Sequence, residues 1–342
     1  MSHSDPITDQ LNRPIHDLRV SVTDKCNLRC TYCMPKEVFH DGYPFLRRSE
    51  LLSYEEIERL VRSFVGVGVR KIRITGGEPL LRRDLPVLVK KIADIDGIED
   101  IALTTNGLLL DKFAHTLKDS GLRRITVSLD SMNDDTFGAM NGLGIGTEKV
   151  LAGIDAALEA GFAPVKINVV VQKGTNESEI LDVVRYFKER KCIVRFIEYM
   201  DVGNCNHWEM AEVMPSAELR SLIETEFPLK AVDAEYRGEV ATRYRFEEGD
   251  GEVGFISSVT APFCGDCSRA RISAEGTLYT CLFASNGVEL KQPLRDGASK
   301  EEMMEIIRSV WSAREDRYSE LRASNSKNGL TSNKVEMFHI GG

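Results

Sequence analysis

An α/β fold built from six β/α units and followed by a smaller α+β region is what this 342-residue sequence predicts. Three observations carry the prediction. Between residues 16 and 200, apolar strand-like runs alternate with amphipathic stretches, the pattern of a parallel sheet with crossover helices. The chemically unusual residues gather just after the strands, where α/β folds place their reactive groups. Past residue 200 the alternation gives way to short strand-like pieces.

The first strand, "DLRVSV" (17–22), leads into a cysteine-rich loop. The stretch "SYEEIERLVRSFVGVG" then opens with Ser53 three residues before Glu56, a capping box, and sets Ile57, Leu60, Val61 and Phe64 on one helical face. "RKIRITGG" (70–77) is the second strand, with a helix over 84–95. "DIALTTNG" pairs with a helix over 111–119, "RRITVSLD" with one over 147–160 and "PVKINVVV" with one over 178–189. "CIVRFIEYM" is the sixth strand. Periodicity alone admits an open doubly wound sheet or an incomplete barrel.

A helix over 216–226, short strands in "YRFEEGDGEVGFISS" and a helix over 300–312 make up the smaller region. The division expected is therefore 1–214 and 215–342. The last thirty residues are polar and rich in Gly, Ser and Asn, so a mobile end is expected.

A formal charge of −9 argues against a surface that attracts nucleic acid or anionic membrane. No apolar run approaches a membrane span, and "MSHSDPITDQLNRPIHDL" lacks the apolar core of a signal peptide. A cytoplasmic address is expected, and in that reducing compartment eight cysteines point to metal ligation rather than disulfides.

Three of them, Cys26, Cys30 and Cys33, fall in "KCNLRCTYCMP". A structural zinc site wants four closed ligands, so zinc here would need a remote partner such as His40. An iron–sulfur cubane held by three thiolates instead leaves one iron open to another molecule. "TGGEP" (75–79) follows the next strand, and its two glycines allow close backbone approach to a ligand with free amides. Together these motifs resemble the radical SAM superfamily. The resemblance implies a [4Fe–4S] cluster whose open iron takes S-adenosylmethionine (SAM) as its fourth ligand. A 5′-deoxyadenosyl radical follows.

A second group, Cys264, Cys267 and Cys281, again supplies three thiols. A zinc ribbon completed by Cys205 is the bland reading; a second cluster with an open iron for substrate is the sharper one. Cys192 reads as buried packing, and the Cys205–His207 pair as a loop coincidence. Strand alternation also puts Lys71, Arg73 and Thr75 on one face, Arg19 with Ser21, Lys166 with Asn168, and Arg269 with Arg271. Arg195 sits within an apolar strand. Singly, each cation would pair with a surface carboxylate; as a set inside a barrel they require a polyanion.

At this point the chain resembles the GTP 3′,8-cyclase family of radical SAM lyases, molybdenum cofactor biosynthesis protein A. The motifs are "LRVSVTDKCNLRCTYCMP", "RITGGEPLLRRDL", "TTNG", "SLDS", "CGDCSRARIS" and the final "IGG". The fold implied is an incomplete (β/α)6 barrel closed by the C-terminal region. The reaction implied is radical abstraction of the C3′ hydrogen of GTP and attack on C8, giving 3′,8-cyclo-7,8-dihydro-GTP.

The same resemblance places Cys26, Cys30 and Cys33 on the first cluster, with Tyr32, Gly77, Ser128 and Met200 around SAM. Cys264, Cys267 and Cys281 go on a second [4Fe–4S] cluster. Arg19, Lys71, Arg73, Thr104, Lys166, Arg195, Arg269 and Arg271 fall on GTP. Arg19, Gly341 and Gly342 join the catalytic set, and removing the two glycines should suppress cyclisation with both clusters intact. A low-potential electron donor is expected as partner and a homodimer is admitted. The rival readings are a radical SAM peptide maturase and a non-catalytic zinc-binding adaptor.

Overall fold

The computed structural model describes residues 6–327 and 333–342. The first units run β1 (Asp17–Ser21), α1 (Tyr54–Gly66), β2 (Lys71–Thr75), α2 (Leu85–Ala93), β3 (Asp100–Thr105) and α3 (Leu110–Asp119). They continue as β4 (Arg124–Ser128), α4 (Asp134–Met140), α5 (Glu148–Glu159), β5 (Lys166–Val171), α6 (Ile180–Glu189) and β6 (Ile193–Glu198). The capping box at α1 forms as the sequence dictates, Ser53 accepting from the Glu56 amide and the Glu56 carboxylate accepting from the Ser53 amide.

Beyond them lie α7 (Ser216–Glu224), β7 (Leu229–Val232), β8 (Thr242–Phe246), β9 (Glu252–Ile256), β10 (Arg269–Ile272), β11 (Thr277–Tyr279) and β12 (Val288–Glu289). Four helices end the chain: α8 (Lys291–Arg295), α9 (Lys300–Ser312), α10 (Tyr318–Lys327) and α11 (Met337–Ile340).

β1 to β6 lie side by side in chain order and are all parallel. A doubly wound sheet would reverse its order at a switch point; this one does not. β1 does not pair with β6. Its outer neighbour is β10, also parallel, while β6 pairs in parallel with β9. The fold is thus an incomplete (β/α)6 barrel, with C-terminal strands flanking both of its free edges. Alternating residues of β1 to β6 point outward into one continuous apolar core beneath the helices, including Val20, Ile72, Leu103, Val127, Ile167 and Phe196.

Two expectations need correction. α4 was not anticipated, because "DDTFGAM" is short and runs into glycines. It forms because the Asn133 side chain accepts from the amides of Asp135 and Thr136. The chain end is also not loose over 333–342. Phe338 and Ile340 are buried, Phe338 packs edge-on to Phe39 at 4.9 Å, and Lys334 pairs with Asp201 at 2.8 Å. A polar composition concealed one short apolar anchor, "MFHI". The rest of that expectation falls partly on residues 328–332, outside the described residues.

Candidate functional site

A cavity of about 350 Å³ lies inside the partial barrel and is lined by both parts of the chain. That size is in the range of small-molecule sites. Every residue assigned above to SAM, GTP or a cluster lines it. Of the terminal pair, Gly342 does too, while Gly341 is buried beside it with its carbonyl accepting from Arg271.

Cys26 follows the carboxyl end of β1 in the loop, and Cys30 and Cys33 bracket one tight turn beyond it. The amides of Cys33 and Met34 both donate to the Cys30 carbonyl, at 3.0 and 2.8 Å. Burial pushes the Cys26 thiol up to about 11, with Glu78 adding to the effect. Cys30 is raised by burial and then by Cys26, Asp130 and Cys33. Three free thiols that mutually oppose ionisation in one buried place suit a shared cationic centre. Tyr32 donates to Asp130 at 2.7 Å, and Asp130 accepts from the Val170 amide at 2.8 Å; burial lifts that carboxyl to about 6.

The glycines of "TGGEP" differ from expectation. The Gly77 amide is not free: it donates to the Thr23 carbonyl at 2.7 Å, and the Glu78 amide donates to Lys25 at 2.8 Å. A Cβ at Gly77 would lie 2.3 Å from the Lys25 carbonyl oxygen. The close approach these glycines permit is therefore to the cysteine loop. Glu78 is fully engaged in the fold. It accepts from the amides of Leu80 and Asn106 and the Thr105 hydroxyl, at 3.0, 2.7 and 2.8 Å, and so ties the second strand's turn to the third's.

Cations fill the middle of the cavity. In the parallel registers Arg19 lies directly between Arg271 and Arg73. Burial holds Arg19 well below the ordinary guanidinium range, and Arg271 and Arg73 depress it further. Arg73 donates to the hydroxyls of Thr104 and Thr126 at 3.0 and 3.2 Å, and Arg195 to Thr126 at 3.2 Å. Burial, then Arg195, Arg124 and Arg73, push Lys166 down to about 8. Arg195 Nε, Arg269 Nη1 and Asn168 Oδ1 are buried without a partner. The two orphaned guanidinium donors, among like charges, are what a polyanionic ligand would satisfy, and the Asn168 oxygen is left for a ligand donor.

Cys264 and Cys267 flank a single turn just before β10, and Cys281 follows β11. Burial opposes ionisation of Cys267, but Arg269 and Arg314 outweigh it and hold that thiol at about 6. Among the described residues, no three His, Cys, Asp or Glu side chains converge in a shell for a single metal ion. A cluster spreads its thiolates over separate irons. His40 is exposed, and its ring accepts from the Gly42 amide at 3.1 Å. Cys205 packs with Met34 and Phe338, its thiol 3.6 Å from Glu336, and Cys192 is core packing.

Sequence reasoning missed Thr126 and Asp130, although "RRITVSLD" carries the signal. Period two puts Arg124, Thr126 and Ser128 on one face, and Asp130 at its end.

A profile of the Radical SAM superfamily matches residues 20–187, and one named Molybdenum Cofactor Synthesis C matches 192–320. Curated relatives called GTP 3′,8-cyclase are similar over nearly the whole length. The protein of Xanthomonas campestris pv. campestris is 52% identical, covering 98% of each chain. That of Acidothermus cellulolyticus is 51% identical, covering 94% of this chain and 90% of its own. That of Staphylococcus carnosus is 49% identical, covering 98% and 99%.

Among solved structures, Streptococcus suis SuiB bound to precursor peptide SuiA aligns with a TM-score of 0.60 at 18% identity, covering 91% of this chain and 67% of that one. At that identity the likeness concerns the fold. With relatives this similar across its length, the chain belongs to the GTP 3′,8-cyclase family of the radical SAM superfamily.

Proposed function

We propose that this chain converts GTP to 3′,8-cyclo-7,8-dihydro-GTP, the first step of molybdenum cofactor biosynthesis. One observation carries the reading: a registered row of guanidiniums, Arg271, Arg19 and Arg73, in a cavity shared by two three-cysteine groups.

In this reading Cys26, Cys30 and Cys33 would hold a [4Fe–4S] cluster, with Tyr32, Gly77, Ser128 and Met200 around SAM. Cys264, Cys267 and Cys281 would hold a second cluster on the guanine side of the same cavity. When bound, cluster and SAM supply a one-electron, hydrogen-abstracting chemistry that no side chain can provide. The chain's own residues do the rest. Arg19, Lys71, Arg73, Lys166, Arg195, Arg269 and Arg271 neutralise the triphosphate and fix the nucleotide. Thr104, which joins them on GTP, and Thr126 also orient two of those guanidiniums. Leu28, Val170 and Ile197 line the same cavity and keep water from the reacting atoms.

Gly341 and Gly342 bring the chain end to the cations, where Arg271 holds the Gly341 carbonyl. Residues 1–214 then carry the SAM half of the chemistry and 215–342 the guanine half. The reading includes a low-potential electron donor and a cytoplasmic site, and it admits a homodimer. Among the described residues, no helix is long and apolar enough to cross a membrane.

The test is an anaerobic incubation of iron-reconstituted protein with dithionite, SAM and GTP deuterated at C3′, followed by mass spectrometry. Deuterium in 5′-deoxyadenosine together with a cyclised nucleotide is the expected result. Unlabelled 5′-deoxyadenosine without a nucleotide product would keep the radical SAM half of the reading and remove GTP from it.

A further inference from the structure

Beside the second cysteine group lie two guanidiniums and two carboxylates that the reaction above does not use, of which Arg314 and Asp316 reach the cavity. Arg13 and Asp9 side chains are fully buried and that of Arg314 is 1% exposed. Arg13 Nη1 donates to the carbonyls of Cys264 and Asp316 at 2.8 and 2.7 Å, and its Nε donates to Asp9 at 2.6 Å. Arg314 Nη1 donates to the Cys267 carbonyl at 2.7 Å and to Asp9 at 3.2 Å, while its Nε lies 3.4 Å from Asp316. Asp316 in turn accepts from the Thr280 hydroxyl at 2.6 Å, next to Cys281.

A simple staple between the chain's two ends would not need these charges. Buried ion networks are commonly replaceable by apolar side chains without loss of stability. What apolar side chains cannot supply is a fixed field. This network is polarised: a cation bonded to the Cys267 carbonyl and an anion bonded to Thr280 beside Cys281, with Arg13 Nη2 and Arg314 Nε left buried without a hydrogen-bond partner. Hydrogen bonds to sulfur and local charge are the levers by which a protein sets the potential of an iron–sulfur cluster.

We propose that Arg13, Asp9, Arg314 and Asp316 are positioning residues for the second cysteine group. In this arrangement Arg314 raises, and Asp316 lowers, the reduction potential of the cluster those cysteines hold. The proposal rests on the reading of Cys264, Cys267 and Cys281 given above. The sign follows from charge: an electron added to the cluster is stabilised by a neighbouring cation and opposed by a neighbouring anion.

The experiment is an anaerobic redox titration of the reconstituted full-length chain, followed by electron paramagnetic resonance, with the first cluster as internal reference. Arg314→Gln should move the second cluster's midpoint to lower potential and Asp316→Asn to higher potential, the first cluster's staying fixed. Arg314→Lys, which keeps the charge, should restore most of the wild-type value. Shifts in the same direction for Gln and Asn variants, or none, would overturn the proposal, since a purely structural role gives no opposed signs. If Arg314→Gln loses iron, the near-isosteric Asp316→Asn decides by itself. Only one cluster in the wild type, by iron and sulfide count, would instead remove the underlying reading of the cysteines, and the proposal with it.

Discussion

The two three-cysteine groups face one cavity, yet their electrostatic surroundings differ at one thiol, Cys267. Around the first stand carboxylates: Glu78 near Cys26, Asp130 near Cys30 and Glu336 near Cys33, so burial and charge act together to keep these thiols protonated. In the second, Arg269 and Arg314 overcome the burial of Cys267, while burial and Asp316 keep Cys281 raised. Equal ligand counts therefore conceal different tasks. The anionic end suits a cationic partner such as the sulfonium of SAM, and the cationic end suits a triphosphate. Between them the charge of the lining changes sign along the cavity.

The largest expected effect breaks this pair apart. Cys30→Ala should abolish SAM cleavage altogether. Cys267→Ala should abolish cyclisation while leaving reductive SAM cleavage measurable, because the first group does not depend on the second. Yields of 5′-deoxyadenosine and of cyclised nucleotide, measured side by side, decide it; loss of both products in Cys267→Ala would make the two groups one functional unit.

Next in size is the cationic middle. Truncating one member of a buried, hydrogen-bonded charge set costs about 2–5 kcal/mol of binding, so Arg195→Met should weaken GTP binding about 30-fold or more. SAM binding should be unchanged. Calorimetric titration with each ligand separates the two, and an equal loss for both would mean that Arg195 supports the barrel rather than the nucleotide.

How much of this was legible follows from the range of the signals. Period-two alternation is local, so Lys71, Arg73, Lys166 and Arg195 could be placed on an inner face from the sequence. The α1 capping box was equally local. Chain-end docking was not, because Lys334, Glu336 and His339 find their partners Asp201, Asn204 and Glu275 more than sixty positions away. Nor could "DQLNR" announce that Arg13 would donate to the carbonyl of Cys264. The expectation of free amides at the glycine pair fails for a related reason. A Gly-Gly turn reports that something comes close, without saying whether it is ligand or chain.

That point gives a smaller prediction, confined to one side of the comparison. In Gly77→Ala the new methyl would meet the Lys25 carbonyl and carbon, both backbone atoms, at 2.3 and 2.6 Å. The cysteine loop must shift, at a cost of about 1–3 kcal/mol for overpacking. Iron content should fall by the amount belonging to the first group while the second retains its own. Unequal loss, resolved by iron and sulfide analysis, supports the loop-packing role; full retention with weakened SAM binding would return Gly77 to the ligand.

The mildest test uses pH. Lys166 is pushed down to about 8 by burial and by the neighbouring Arg195, Arg124 and Arg73. A bound polyanion favours the charged ammonium and so raises that value again. Below pH 8 the free chain already carries the charge and GTP binding is at its full strength. Above it, binding must first protonate Lys166, so affinity should fall with rising pH by at most about tenfold per unit, the limit for one linked proton. The pH profile of SAM binding should be the same in the wild type and in Lys166→Met. Removing the ammonium in Lys166→Met should lower GTP affinity at pH 7 and flatten the profile above 8. A wild-type profile already flat there would mean that Lys166 stays clear of the triphosphate and only balances charge within the barrel.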